Sequence, residues 1–138
     1  HNVKMSNQPT SKYINDGLKL YNSYITTALK CVPPGDKPTF LELKTCFNYF
    51  KQEIDFLKNT RVIVALGKIA FDACIQFYKE NYNFKNNKYL FGHGTKYELP
   101  DKKILIGCYH PSPRNVNTGR IDEKKMTSLF KKVIKLTW

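Results

Sequence analysis

The chain has 138 residues, with 23 Lys and Arg against 11 Asp and Glu, and a formal net charge of +12. That length fits one domain over residues 1–138, and 41% hydrophobic residues with 14% aromatics suit a folded chain rather than a disordered one. No run of about 18 apolar residues is present to cross a membrane, the His1-Asn2-Val3-Lys4 start has no apolar signal-peptide core, and four cysteines are too few for a disulfide-stapled secreted scaffold. An intracellular protein is the expectation, and the positive charge suits a polyanionic partner whose phosphates release counterions on binding.

In chain order, residues up to about Ser11 read as loop. Residues 13–21 read as a short helix weakened by Gly17, and the β-branched and aromatic residues 24–29 as a strand. In residues 30–38, Pro33, Pro34, Pro38 and Gly35 exclude regular structure. Thr39 and Glu42 then form a capping box, followed by Phe40, Leu43, Phe47, Phe50, Ile54 and Leu57 at helical spacing. Val62-Ile63-Val64-Ala65-Leu66 is a continuous apolar run ending at Gly67, as in a strand covered on both faces. Ile69, Ala70, Ala73, Cys74 and Phe77 make a helical stripe, and residues 82–94 read as an Asn-, Lys- and Gly-rich loop. Ile104-Leu105-Ile106 starts a second buried strand reaching Tyr109. Residues 110–120 read as a long polar loop, and Met126, Leu129, Phe130, Val133 and Ile134 mark a last helix.

Strands alternating with helices predict an α/β domain with a central parallel sheet and right-handed crossovers. Ligands of such sheets bind beyond the carboxyl ends of the strands. Residues 31–38, the turn at Gly67 and residues 110–120 all fall on that edge. His110 sits where a buried strand opens into a loop stiffened by Pro111 and Pro113. It reads either as a preorganised hydrogen-bond donor or as a satisfied surface histidine. Cys31 and Cys46, fourteen residues apart, can share a soft metal or an iron–sulfur cluster if the proline loop folds back over the helix. A zinc site with a histidine lacks the usual C-x₂-C pairs. Cys74 and Cys108 read as small core residues, His93 as a turn histidine, and Lys124, Lys125, Lys131, Lys132 and Lys135 as a solvated helix face.

Several segments together resemble the uracil-DNA glycosylase superfamily, and specifically its iron–sulfur family 5, or type B, a close relative of family 4. They are Tyr24-Ile25-Thr26 leading to Lys30-Cys31-Val32-Pro33-Pro34-Gly35, then Lys37-Pro38-Thr39 and Cys46. Val62 to Gly67 with Ala70, Phe91-Gly92-His93-Gly94, and His110-Pro111-Ser112-Pro113-Arg114-Asn115-Val116-Asn117-Thr118-Gly119-Arg120 carry the rest, with Asn7-Gln8-Pro9-Thr10-Ser11 and Asp16-Gly17-Leu18 in support. The last long segment is the most specific.

The resemblance implies a three-layer fold and base excision from DNA containing uracil or other deaminated bases. It implies His110 as the catalytic group stabilising the leaving base. Ser112, Pro113, Arg114, Asn115, Asn117 and Arg120 would face DNA. Thr27 and Asp36 would line the base pocket, at positions where relatives carry asparagine. A threonine offers one hydroxyl where an amide offers separate donor and acceptor atoms, which implies a broader choice of base. A 4Fe-4S cluster is implied, with Cys31 and Cys46 as two of its ligands, and a location in cytoplasm or nucleoid. The family's first strand, Gly-Ala-Pro loop and C-x-x-C pair have no counterpart here, so an N-terminally incomplete domain is expected, completed by a further segment or chain. The competing expectation is a non-catalytic nucleic-acid-binding remnant or a subunit of a split glycosylase.

Overall fold

The computed structural model describes residues 12–30, 35, 37–84 and 88–137. Their elements are α1 (Phe40–Phe56), β1 (Val62–Leu66), α2 (Lys68–Asn81), β2 (Lys96–Glu98), β3 (Ile104–Cys108), α3 (Pro113–Asn117) and α4 (Glu123–Thr137). The sheet order is β1-β3-β2. β1 and β3 run parallel, with Val62 opposite Ile104 and Leu66 opposite Cys108. This pairing needs a long crossover, to which α2 contributes. β2 pairs antiparallel with β3, Lys96 opposite Ile106, so the sheet is mixed rather than wholly parallel. The reason is the short connection between them: Leu99 N–H donates to the Lys103 carbonyl at 2.8 Å, closing a hairpin that only antiparallel strands can share. β2 lies within a stretch too polar and short to stand out by hydrophobic pattern.

Strand side chains alternate between two cores. Ile63, Ala65 and Leu105 meet Phe71, Cys74, Ile75, Phe77 and Tyr78 of α2, and Phe50 and Ile54 of α1. Val62, Val64, Leu66, Ile106 and Cys108 face the opposite way, onto Met126, Leu129 and Val133 of α4 and onto Ile121. Helices therefore cover both faces, giving three layers, as the unbroken apolar runs of β1 and β3 predict.

α1 opens with the expected capping box: Glu42 N–H donates to Thr39 Oγ1 at 3.3 Å, and Thr39 N–H to Glu42 Oε2 at 2.7 Å. Its buried line is Cys46, Phe50 and Ile54. Phe40, placed on the apolar stripe by spacing, lies in the first turn and is exposed. The stripe of α2 is also rotated from the expected one. Ile69 is exposed, while Phe71 and Tyr78 are almost wholly buried. Tyr78 tolerates this because its hydroxyl donates to Asp101 Oδ2 at 2.9 Å.

The segment before α1 departs from expectation twice. Residues 13–21 form turns, not a helix. The Asp16 carboxylate accepts from the backbone N–H groups of Lys12, Tyr13 and Leu18, which competes with helical bonding, and Gly17 follows at φ +87°. Residues 24–29 form no strand and join no strand of the sheet. Their side chains dock on α1 instead: Lys30 Nζ reaches Glu53 Oε2 at 2.5 Å, and Thr26 Oγ1 and Tyr24 OH donate to the same carboxylate. Burial pushes the Glu53 carboxyl up, but these hydrogen bonds and the Lys30 charge hold it below the ordinary carboxylate value.

Candidate active site

The parallel strands β1 and β3 end side by side. Gly67 N–H donates to the Cys108 carbonyl at 2.8 Å, one step beyond the ladder. Gly67 then turns the chain into α2 at φ +96°, a backbone conformation that side chains disfavour. A Cβ on Gly67 would also lie 3.1 Å from the Cβ of His110. Glycine is thus required here by conformation and by the close approach of His110, which leaves β3 two residues after Cys108.

His110 is exposed, and its imidazole makes no hydrogen bond to another of the described residues. Its backbone is held instead. Asn115 Nδ2 donates to the His110 carbonyl at 2.8 Å, and the Asn115 carbonyl accepts from Arg120 N–H at 2.9 Å and Ile121 N–H at 3.2 Å. One asparagine therefore ties both ends of the loop, and the fully buried Ile121 anchors the far end. Within residues 110–120, expected as loop throughout, α3 forms a single short helix. Ser112 caps it by accepting from Asn115 N–H at 3.4 Å, and Pro113 starts it where no N–H partner is needed. The Arg120 guanidinium lies over the Tyr109 ring, 4.6 Å from its centroid. Lys125 Nζ donates to the Gly119 carbonyl at 2.7 Å, bracing the loop from α4.

The Gly92-His93-Gly94 turn packs on the other side of the β3 exit. Gly94 N–H donates to the Gly107 carbonyl at 2.8 Å, and Gly107 N–H to the Thr95 carbonyl at 3.0 Å. A Cβ on Gly107 would fall 2.3 Å from the Gly92 carbonyl oxygen, so the turn lies directly on the strand backbone. This contact brings His93 to Tyr109. The Tyr109 N–H donates to His93 Nδ1 at 3.2 Å, and the two rings are 5.3 Å apart. Burial, and then the charges of Lys125 and Lys132, push the His93 pKa below its ordinary value. Sequence reasoning took His93 for an incidental turn residue. The glycines on either side were the available signal, since they allow a turn to approach a strand this closely.

Of the residues expected at the site, His110, Ser112, Pro113, Arg114, Asn115, Asn117 and Arg120 lie on this one loop. Thr27 is exposed in the segment docked on α1, and no hydrogen bond among the described residues links it to the His110 loop. Cys31 and Asp36 lie outside the described residues. Cys46 is buried on α1. Cys74 and Cys108 are buried core residues as expected, and burial pushes both thiols up. Among the described residues no three His, Cys, Asp or Glu side chains gather as a metal site.

The sequence profile of the uracil DNA glycosylase superfamily matches residues 4–135. The chain belongs to that superfamily. The type-5 uracil-DNA glycosylase of Thermus thermophilus is 37% identical over 121 residues, covering 88% of this chain and 53% of that protein. The type-5 uracil-DNA glycosylase of Mycobacterium tuberculosis is 34% identical over 137 residues, 99% of this chain and 50% of that protein. A type-4 uracil-DNA glycosylase of Archaeoglobus fulgidus is 31% identical over 98 residues, 70% of this chain and 48% of that protein. The chain spans about half the length of these curated relatives. The superfamily match takes in β1, β3 and the whole His110 loop. The glycines that shape this edge, Gly67 and Gly107, thus fall inside the matched region. No helix among the described residues is long and apolar enough to cross a membrane.

Proposed function

We propose that this chain acts in DNA base excision, hydrolysing the N-glycosidic bond of uracil or of other deaminated bases, with His110 at the leaving base. The observation that carries this reading is the His110 imidazole, exposed at the carboxyl edge of β1 and β3 with its backbone pinned by Asn115 and packed against Gly67. A main chain fixed before substrate arrives lowers the reorganisation needed to bring the imidazole to the developing charge, which favours electrostatic catalysis.

The target nucleotide leaves the stack to reach such an edge, at a cost of a few kcal/mol. The C1′–N bond then breaks with its electron pair passing to the base, which departs as an anion. His110 donates a hydrogen bond to the base oxygen where that charge collects; water adds to the sugar C1′ and gives up a proton, which neutralises the departed base anion. One such donor is worth about 10²–10³ in rate.

Arg114 and Asn117, exposed on the loop, face flanking phosphates in this reading. Ser112 and Pro113 set the start of α3 beside them. Asn115 and Arg120 act mainly by bracing, since the first holds the His110 carbonyl and the second lies on Tyr109. Thr27 is assigned to the base in this reading, its single hydroxyl widening the choice of base. In this reading the chain works inside the cell, where its DNA substrate lies.

An iron–sulfur cluster would take Cys31 and Cys46 as ligands. The described residues supply Cys46 alone and gather no metal-binding group, so they do not by themselves fit a cluster. A brown chromophore in the purified protein would reveal it.

The direct test is incubation with a uracil-containing oligonucleotide followed by alkali. Strand scission reports excision. Binding without scission would instead mark a nucleic-acid-binding module without catalysis.

A further inference from the structure

We propose that His93 is a positioning residue for His110, acting through the hydrogen bond that its Nδ1 accepts from the Tyr109 backbone. The inference rests on the glycosylase reading for its catalytic consequence and on geometry for the contact itself. Tyr109 N–H belongs to the Cys108–Tyr109 peptide, one peptide before the bond that enters His110, and its only described acceptor is the His93 ring nitrogen at 3.2 Å. The β3 ladder ends at Cys108; Gly67 N–H holds the carbonyl of that same peptide from the β1 side, and among the described residues no sheet partner takes its N–H. His93 takes over that task for Tyr109, while Asn115 does it for the His110 carbonyl. The two bonds grip the chain on either side of the catalytic Cα.

The bond has a definite protonation requirement. Only an imidazole with a lone pair on Nδ1 can accept, so the proton of the neutral ring sits on Nε2. Adding a second proton would set an N–H against the Tyr109 N–H. The surroundings oppose that proton from each packed element. Lys125 and Lys132 of α4 bring positive charge, the Tyr109 ring lies against the imidazole, and Arg120 places a further cation over the same tyrosine. Acidification therefore loosens the β3 exit through His93, separately from anything that happens at His110.

Substitution distinguishes this from simple packing. Asparagine presents an oxygen close to where Nδ1 stands, whereas leucine fills the space with no acceptor. In the glycosylase assay, H93L is expected to lower kcat about tenfold, the loss of one constrained hydrogen bond, with KM little changed. H93N is expected to recover most of that loss and to remove the part of the acid limb that separates it from the native chain. In the ¹⁵N-labelled chain, the Tyr109 amide and the His110 ring resonances should both follow the His93 titration, which falls below the ordinary histidine value.

A Tyr109 amide that ignores the His93 titration overturns the proposal whatever the activity. So does an H93L protein that keeps native kcat, or an H93N protein no better than H93L at equal melting temperature. If the native chain excises no base, the glycosylase reading fails first. The proposal is then decided by the resonances alone: coupled shifts at Tyr109 and His110 uphold it, and their independence removes it.

Discussion

At the start of β3, Asp101 accepts hydrogen bonds from Tyr78 OH at 2.9 Å and from Lys103 N–H at 3.2 Å, and its carboxylate also pairs with Lys103 Nζ. Both members of that ion pair are largely covered, with side-chain exposures of 15% and 16%. At the other end of the same strand, His110 turns an imidazole to solvent with no partner among the described residues, while Arg114 and Asn117 beside it are exposed. One end satisfies its polar groups internally and serves the fold. The other fixes only its backbone, through Gly67, Asn115 and His93, and leaves its side chains open to a ligand. The contrast teaches that a rigid main chain combined with an unsatisfied side chain marks a site better than polarity does, because both ends are polar.

The largest expected effect breaks the open end directly. His110→Ala should lower the single-turnover excision rate about 10²–10³-fold while DNA affinity, read by fluorescence anisotropy, changes little. Equal losses in rate and affinity would make His110 a binding residue and remove the contrast. Next comes Gly107→Ala, whose Cβ meets the Gly92 carbonyl oxygen. Overpacking against backbone should destabilise by about 2–3 kcal/mol, seen as a lower denaturation midpoint, and should disturb the His93 turn with it.

At the closed end the effects are smaller and confined to stability. Tyr78→Phe removes one hydrogen bond to Asp101 and should cost about 1 kcal/mol, with excision unaltered once the protein is folded. A parallel loss of activity would show that the two ends are coupled. Smaller still is the pH dependence. Burial raises the Asp101 pKa, but hydrogen bonds from Lys103 and Tyr78 outweigh it and leave the carboxyl below its ordinary value. The stability this contributes is present above the unfolded value near about 3.9 and is lost as pH falls through the folded one. Acid unfolding of Asp101→Asn should be shallower in that window than that of the native chain.

Much of this arrangement was legible in the residues. The capping box at Thr39 and Glu42 and the apolar runs of β1 and β3 report local spacing and two-sided burial, both of which are written in sequence. The HPSPRNVNTGR loop was legible as one polar, proline-stiffened segment on the carboxyl edge. The misses have a common physical origin. Residues 24–29 have strand composition, but a strand exists only when a neighbour completes its ladder, and here the side chains of Thr26 and Lys30 find Glu53 instead. Residues 13–21 read as a short helix, but Asp16 captures the Leu18 N–H that a helical turn would use, and Gly17 turns the chain at φ +87°. The sequence marks Phe91-Gly92-His93-Gly94 as a family segment but leaves His93 a turn histidine, because its contact is with Tyr109, sixteen residues away.

By itself, the order of residues determined the α/β class, the two-faced burial of the central strands, and the family whose motifs it carries, since each depends on periodicity or on short contiguous patterns. Only the tertiary structure decided which polar groups are consumed and which stay open. That outcome turns on packing distances between remote segments, such as Gly107 under Gly92 and Gly67 against His110, and a gap of an ångström there has no signature along the chain.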